Sequence, residues 1–253
     1  MIARLDAIIR HPIKSIGLEP LESAPLSKGR ALPFDRHWAI LTEKSPLSRM
    51  PDGTVSSWGK KINFVIGRSA PELMCITAQL DEATGTLTLS HPRAATITVQ
   101  PENDAGLLLD WVQQFWRDLP APTVVVRQPD RPLTDEDTPY VAVLNRASLT
   151  DLSEKLGQVV EPERFRGNLW IDGWPAFHET TMVGKRIRIG TAILMVDRPI
   201  ERCRATDTNP LSGQRDIDML RELDTRYQTR NFGIFCKVVE DGVIHRGDEV
   251  EVL

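Results

Sequence analysis

Short stretches of the chain place apolar residues at every second position. This period is seen at 5–9, 38–40 and 62–66. It is typical of strands, because successive strand side chains point to opposite faces of a sheet. A Thr84-Gly85 turn ahead of residues 86–89 predicts a hairpin. Further strands are predicted near 96–100, 123–127, 140–144, 168–172, 186–189, 192–196, 235–239 and 243–253.

Three segments show helical spacing instead: 103–118, 148–156 and 216–225. Asn103 is the expected N-cap of the first helix. Ser148 and Asp151 form a capping box that predicts the start of the second helix, and Gly157 predicts its end. Because few long helices separate the strands, a doubly wound parallel sheet is not expected.

The proline-rich stretch 120–139 divides the pattern in two. It contains five prolines and the acidic run Asp135-Glu136-Asp137, which favours a linker, although a long surface loop inside one domain would have the same composition. We predict a mainly β (α+β) fold of two mostly antiparallel β-barrel-like modules with a few short helices. The N-terminal module would span residues 1–119 and the second module residues 120–253.

Composition narrows the function classes. The 253 residues include 31 Lys and Arg against 35 Asp and Glu, and this net charge of −4 argues against a general nucleic-acid binder. The three cysteines form no CxxC pair, which is typical of a chain kept in a reducing compartment. The apolar runs are too short for a membrane helix, and the first ten residues lack a signal-peptide core. We therefore expect a cytoplasmic protein without membrane or nucleic-acid partners.

One cysteine stands apart from the other two. Common phosphate-loop, hydrolase and zinc-protease motifs are missing from the sequence, and its five histidines are isolated. Cys203 lies between Arg202 and Arg204 in a polar loop, where positive charge favours the thiolate, a nucleophile and soft metal ligand. Cys75 and Cys236 fall in strand patterns and are interpreted as packing thiols. A half-buried loop thiol without a function stays open for Cys203.

Basic residues at predicted strand ends indicate an anion site. Lys14 and Ser15 follow the first strand, and Arg36 lies at the start of the next. Arg166 and Asn168 have the same strand parity, so their side chains would share one face. Guanidinium groups bind phosphate in a bidentate manner, and lysine and serine add further donors.

Each of these assignments has a structural alternative. The helix that starts at Ser148 could add backbone N–H donors to the anion, but Ser148 could equally be only an N-cap. Lys14 could be solvated. Arg166 could pair with Glu161 or Glu163.

Several of these segments occur together, in this order, in the two-part MOSC proteins. That family joins an N-terminal β-barrel-like module to a molybdenum cofactor sulfurase C-terminal domain, and it includes the mitochondrial amidoxime-reducing component. The chain resembles this family over nearly its whole length, most specifically in the cysteine segment. The segments that carry the resemblance are 11–15, 34–38, 144–149, 165–169, 202–213, 231–233 and 243–248.

The resemblance implies a molybdenum cofactor (Mo-molybdopterin) held between the two modules. Cys203 would be the molybdenum ligand and the catalytic residue. The reaction would remove oxygen, with two electrons, from N-hydroxylated small molecules such as hydroxylamines, amidoximes or hydroxylated purine bases. The cofactor-binding residues implied are Lys14, Ser15, Arg36, Ser148, Arg166, Asn168 and Thr206.

The resemblance leaves the electron source and two other functions open. The chain ends at Leu253 without cysteines for an iron–sulfur cluster, so a ferredoxin-like or cytochrome b5-like partner with its reductase is expected to supply electrons. Cys203 could instead carry a persulfide loaded by another protein, since the pyridoxal phosphate associated with the family belongs to a desulfurase module not seen here. The protein could also store or deliver the cofactor. His11, Gly167 and Asn209 depart from common family residues and leave substrate choice open.

Overall fold

The fold comes from a computed structural model that describes residues 2–129 and 131–253. Strands dominate it. The helices are α1 (Ala105–Gln113), α2 (Arg146–Leu156) and α3 (Met219–Tyr227). The strands are β1 (Arg4–Arg10), β2 (Glu19–Leu21), β3 (Ser23–Leu26), β4 (Trp38–Thr42), β5 (Thr77–Asp81), β6 (Thr86–His91), β7 (Ala94–Val99), β8 (Pro122–Arg127), β9 (Val141–Asn145), β10 (Leu169–Asp172), β11 (Arg186–Ile189), β12 (Ala192–Glu201), β13 (Asn231–Glu240), β14 (Gly242–His245) and β15 (Val250–Val252).

The largest sheet has eight strands in the order β15-β11-β12-β13-β9-β10-β1-β2. Its central strand β9 is buried throughout, because it is covered on both faces. Val141 and Val143 face one core, whereas Ala142 and Leu144 face a second core that also contains residues of α2 and α3. Neighbouring strands are antiparallel except β9 and β10, which run parallel and are connected through α2.

Two smaller assemblies hold most of the first half of the chain. β4 pairs with β8, and β5, β6 and β7 form a three-stranded sheet. The buried face of α1, with Leu108, Trp111 and Val112, packs into the same core as Leu87 and Leu89 of β6. None of the helices within the described residues is long and apolar enough to cross a bilayer.

The prediction of a mainly β, mostly antiparallel fold with a few short helices is confirmed, but the sheets are open rather than closed into barrels. The two halves of the sequence also exchange strands. β1 and β2 extend the sheet built by the second half, while β8 pairs back onto β4. The division of the chain at residue 120 stays a prediction.

Two local predictions are wrong. The alternation at 62–66 does not form a strand, because Lys61–Asn63 is a 3₁₀ turn that leaves Ile62 79% exposed. Three residues per turn spread successive side chains around the axis, so the apolar period does not report one buried face. Cys75 likewise ends the 3₁₀ segment Pro71–Cys75, although its side chain is buried as expected.

The helix caps differ from those predicted, while the helices themselves are confirmed. α1 begins after Asp104, one residue beyond Asn103. α2 begins before Ser148, because the Asn145 side chain accepts a hydrogen bond of 3.0 Å from the Ala147 N–H. The end of α2 at Gly157 is confirmed, with φ of 68° in the left-handed region that glycine favours. α3 starts and ends slightly later than predicted.

The two asparagines give a matched test of this capping. Replacement Asn145→Ala removes the cap and leaves the buried Glu179 carboxylate without its 2.8 Å amide donor. We expect the free energy of unfolding to fall by about 1–3 kcal/mol. The exposed Asn103→Ala should cost less than about 0.5 kcal/mol. Urea denaturation of both variants measures the difference, and equal losses would contradict the assignment of Asn145 as the cap.

Candidate functional site

A cleft of about 670 Å³ is lined by residues of β9, β12 and β13 and by turns and loops of the neighbouring segments. β1 runs antiparallel to β10, with Ile8 opposite Leu169, so the carboxyl end of β1 meets the amino end of β10. The Ile9 N–H donates to the Asn168 carbonyl at 2.7 Å. The chain that leaves β1 therefore emerges beside the chain that enters β10, and two segments distant in sequence share one wall of the cleft.

A row of residues across three strands contributes another wall. Arg198 of β12 is opposite Phe235 of β13, which is opposite Ala142 of β9. The Asn168 side chain fixes Ala142, the last residue of this row, because it accepts from the Ala142 N–H at 3.0 Å. It also donates to the Ile9 carbonyl at 3.2 Å. Asn168 thus holds the strands on both sides of β10 in place while it lines the cleft.

The structure brings most of the predicted site residues to this cleft. They come from the turn after β1, the start of β4, the approach to β10 and the loop after β12. The predicted residues that line it are Lys14, Ser15, Arg36, Arg166, Asn168, Cys203 and Thr206.

Ser148 does not line the cleft with the other predicted residues. Its hydroxyl is buried, donates to the Glu179 carboxylate at 2.8 Å and accepts from the Phe177 N–H at 2.7 Å. Burial raises the pKa of Glu179, although the hydrogen bonds from Asn145 and Ser148 oppose that rise. The contacts of Ser148 therefore support a structural role inside the fold.

Three cleft residues have left-handed backbone conformations. The φ angles of Ser15, Arg36 and Arg166 are 63°, 47° and 45°. This region is uncommon for residues with a side chain, and such strain concentrates at functional sites. The surrounding hydrogen bonds enforce it: the Arg36 N–H donates to the His11 carbonyl at 2.6 Å, and the Arg36 guanidinium donates to the Arg166 carbonyl at 2.8 Å.

The cleft holds cationic charge that the protein does not neutralise fully. Burial lowers the pKa of Arg166 to about 9, and repulsion from Arg36 contributes. Burial also lowers the pKa of Arg202 to about 9; the nearby Cys203 opposes this shift and Arg36 adds to it. Within the described residues, neither Arg166 nor Arg202 forms an ion pair with a carboxylate. An anion in the cleft would offset both the repulsion between these cations and the cost of burying them.

Arg202 is held by backbone carbonyls instead. It donates to the Phe165 carbonyl at 2.8 Å and to the Phe232 carbonyl. Gly233 leaves the room for this approach, because a Cβ there would lie 3.2 Å from the Arg202 guanidinium and 2.9 Å from the Val143 carbonyl. Its φ of 81° also favours glycine.

Arg164, which the sequence did not single out, forms the ion pair with Glu161 considered for Arg166. It is buried and donates a hydrogen bond of 2.6 Å to the Glu161 carboxylate. It also donates two hydrogen bonds, of 2.7 and 2.9 Å, to the Asp216 carboxylate. It also donates to the Asp207 carbonyl at 3.2 Å. Arg164 therefore ties the segment before Arg166 to the loop that follows Cys203.

The three cysteines have different environments. Cys75 and Cys236 are buried, and burial raises the pKa of both thiols. Cys203 is half-buried in the cleft and precedes the 3₁₀ segment Arg204–Asp207. Thr206 fixes its backbone, since its N–H and hydroxyl donate to the Cys203 carbonyl at 3.1 and 2.9 Å. The accessible thiol is the one that the sequence singled out.

The acidic run predicted as part of a linker reaches into the cleft. The Asp135 carboxylate accepts from the Lys14 ammonium at 2.9 Å and lies 3.5 Å from that of Lys61, while Glu136 pairs with Arg198. Burial lowers the pKa of Lys14, and Asp135 opposes that shift. The described lining residues nevertheless include ten basic and four acidic side chains, so the cleft stays cationic in a chain of net charge −4.

Comparisons with known proteins identify the family of this chain. The family profile of the MOSC N-terminal beta barrel domain matches residues 2–115, and that of the MOSC domain matches residues 130–251. Molybdenum cofactor sulfurase 2 of Culex quinquefasciatus is 24% identical over 99% of this chain and 37% of its own length. Molybdenum cofactor sulfurase of Anopheles gambiae is 27% identical over 46% of this chain and 16% of its own length. This chain therefore spans well under half the length of these curated relatives.

Solved structures give weaker similarities. The YUAD protein from Bacillus subtilis has a TM-score of 0.47 and 15% identity, covering 100% of this chain and 96% of that protein. YiiM from Geobacillus stearothermophilus has a TM-score of 0.36 and 18% identity, covering 45% of this chain and 53% of that protein.

The contact between Asp135 and Lys14 predicts an effect on anion affinity. Asp135→Asn removes the carboxylate that competes for Lys14 and Lys61, so sulfate should bind about three- to tenfold more tightly. Isothermal titration calorimetry measures this. The neighbouring Asp137→Asn is the control, because Asp137 pairs with Arg131 and neither lines the cleft. Unchanged or weaker binding in Asp135→Asn would show that Asp135 does not compete with the anion.

Proposed function

Because this chain belongs to the MOSC family, we propose that its cleft binds a molybdenum cofactor and that the protein is a molybdenum-dependent oxidoreductase that reduces N-hydroxylated small molecules. One observation carries the proposal. Arg36 repels both Arg166 and Arg202 in a single cleft that also contains the half-buried thiol of Cys203. Such a site combines donors for a hard anion with a ligand for a soft metal.

Four basic or polar residues of the cleft fit a phosphate group: Lys14, Ser15, Arg36 and Arg166. The guanidinium groups of Arg36 and Arg166 donate to backbone carbonyls at 2.8 Å and 3.4 Å respectively. Arg36 also pairs with the Asp35 carboxylate, whereas Arg166 has no carboxylate partner among the described residues, so its charge remains available to an anion. Lys14 and Ser15 lie on the adjoining turn. Planar forks together with a lysine and a hydroxyl are a typical donor set for phosphate. We assign the phosphate of the cofactor to these four residues.

The loop after β12, which also lines the cleft, fits a metal that arrives with other ligands on a cofactor. Cys203 contributes a single thiol, whose thiolate form is a soft ligand suited to a redox metal. Thr206 fixes the cysteine backbone through two hydrogen bonds to one carbonyl. We therefore assign Cys203 as the protein ligand of molybdenum and Thr206 as the residue that positions it.

When bound, the cofactor would supply the two-electron chemistry of oxygen removal. The chain would bind and orient it. Asn168 would keep β9 and β1 at a fixed separation through its hydrogen bonds to both strands. Arg202 would hold positive charge next to the Cys203 thiolate. Electrons would come from a separate ferredoxin-like or cytochrome b5-like donor with its reductase. That donor and the cytoplasmic location stay predictions.

Metal content tests the proposal. Protein purified from a host that makes the cofactor should hold near-stoichiometric molybdenum and pterin, and should reduce an amidoxime when an electron donor is supplied. Cys203→Ser should abolish reduction and lose most of the molybdenum, because the exchange removes the soft ligand. Cys75→Ala is the control, since Cys75 does not line the cleft. Full molybdenum and activity in Cys203→Ser would contradict the ligand assignment.

The relatives suggest a second candidate, a sulfur carrier. Two of them bear the name molybdenum cofactor sulfurase, and Cys203 is accessible between two arginines. A persulfide on Cys203 would add the mass of one sulfur to the intact protein, without bound molybdenum. That result would replace the reductase proposal. Stoichiometric cofactor with no reduction of any N-hydroxylated compound would instead indicate a storage or delivery protein.

A further inference from the structure

His11 lies behind the cleft, where the two turns that carry its basic residues meet. The side chain is completely buried. Its Nδ1 atom is 3.3 Å from the Gly17 carbonyl oxygen, and its Nε2 atom is 3.3 Å from the Gly167 carbonyl oxygen. Gly17 closes the turn that contains Lys14 and Ser15, and Gly167 follows Arg166. One ring therefore connects the two halves of the proposed phosphate site.

The ring faces two acceptors but has only one proton when neutral. A neutral imidazole donates from one nitrogen, so one of the two carbonyls faces a lone pair. The imidazolium form would donate to both carbonyls. Burial holds the pKa of His11 well below its ordinary value, and the positive charges of Arg166 and Arg36 contribute. The contacts thus suit the charged form, while the surroundings of the free protein favour the neutral form.

The other charged groups around His11 do not remove this conflict. The Asp35 carboxylate accepts from the His11 backbone N–H at 2.9 Å and also pairs with Arg36. A cavity of about 30 Å³ beside the ring is lined by Glu163 and Arg146, among others. It has room for about one water molecule. The field at the ring is therefore set mainly by the two cleft arginines, and a divalent anion bound to them would offset it.

We propose that His11 takes up one proton from solvent when a divalent oxyanion binds Arg36 and Arg166. The imidazolium then donates to the Gly17 and Gly167 carbonyls and holds the two turns together around the anion. His11 is a positioning residue, since it lies behind the anion site. The inference rests on the proposed function for the existence of the anion site, and it adds a proton to the binding reaction.

The pH dependence has a definite sign. Because the complex holds one more proton than the free protein, anion affinity must rise as pH falls while free His11 is neutral. The dependence disappears at a pH low enough to protonate His11 in the free protein. It also disappears at a pH high enough to deprotonate His11 in the complex.

Calorimetry with sulfate tests the proton directly. Sulfate is a suitable probe because it stays dianionic from about pH 5 to about pH 8, whereas phosphate would titrate itself. Titration at about pH 6 in buffers of different ionisation enthalpy should show an uptake approaching one proton per sulfate. Where His11 is neutral in the free protein and charged in the complex, raising the pH by one unit should raise the sulfate dissociation constant by up to about tenfold.

Two variants separate His11 from other histidines. His11→Gln keeps one donor and one acceptor but cannot be charged, so proton uptake and pH dependence should be lost, with sulfate affinity about five- to tenfold lower at pH 6. His245→Gln is the control, because that side chain is 62% exposed and outside the cleft. It should match the unmodified protein in all three measurements.

Nitrogen-15 NMR of the histidine rings reports the protonation state of His11 in the unmodified protein. It therefore does not depend on whether a variant folds. The His11 ring should change from a neutral tautomer to imidazolium as sulfate saturates the site. Sulfate binding without that change, or an imidazolium already present in free protein, would overturn the role of His11 and leave the proposed function standing. Failure of sulfate to bind at all would overturn the anion site and the inference together.

Discussion

Repulsion among guanidinium groups is the constraint on which the rest of this structure depends. Arg36, Arg166 and Arg202 are gathered in one cleft, and burial together with repulsion from Arg36 lowers the pKa of Arg166 and of Arg202 to about 9. Arg166 and Arg202 are held by backbone carbonyls, which orient a guanidinium without cancelling its charge, whereas Arg36 also pairs with the Asp35 carboxylate. A binding site for an anion requires that charge to remain available until the ligand arrives.

The sheet supplies the rigidity that this arrangement needs. β1 pairs with β10 although they lie far apart in sequence. Their antiparallel register places the carboxyl end of β1 beside the amino end of β10. Strongly twisted turns then carry Ser15, Arg36 and Arg166 in left-handed conformations. The two apolar cores on either face of β9 hold the sheet in place. Stability in the cores thus supports strain and repulsion at the cleft.

The types of residue at the site could be predicted from the sequence, whereas the ion pairs between them could not. Cys203 between two arginines and Lys14 after a strand are visible as residue types in polar segments. The sequence could not show that Arg164 rather than Arg166 pairs with Glu161, because both arginines are within reach of it. Nor could it show Asp135 on Lys14, a contact between residues 121 positions apart. Strand-like alternation at 62–66 failed because three apolar residues do not distinguish a strand from a 3₁₀ turn.

X-ray absorption at the molybdenum edge tests the central claim most directly, because it reports the atoms bonded to the metal. In protein loaded by a host that makes the cofactor, the spectrum should contain a sulfur neighbour that comes from Cys203. Cys203→Ser protein that keeps residual metal should lose one sulfur neighbour and gain an oxygen or nitrogen neighbour. An unchanged sulfur shell in that variant would show that the metal is not bound by Cys203 and would contradict this account of the cleft.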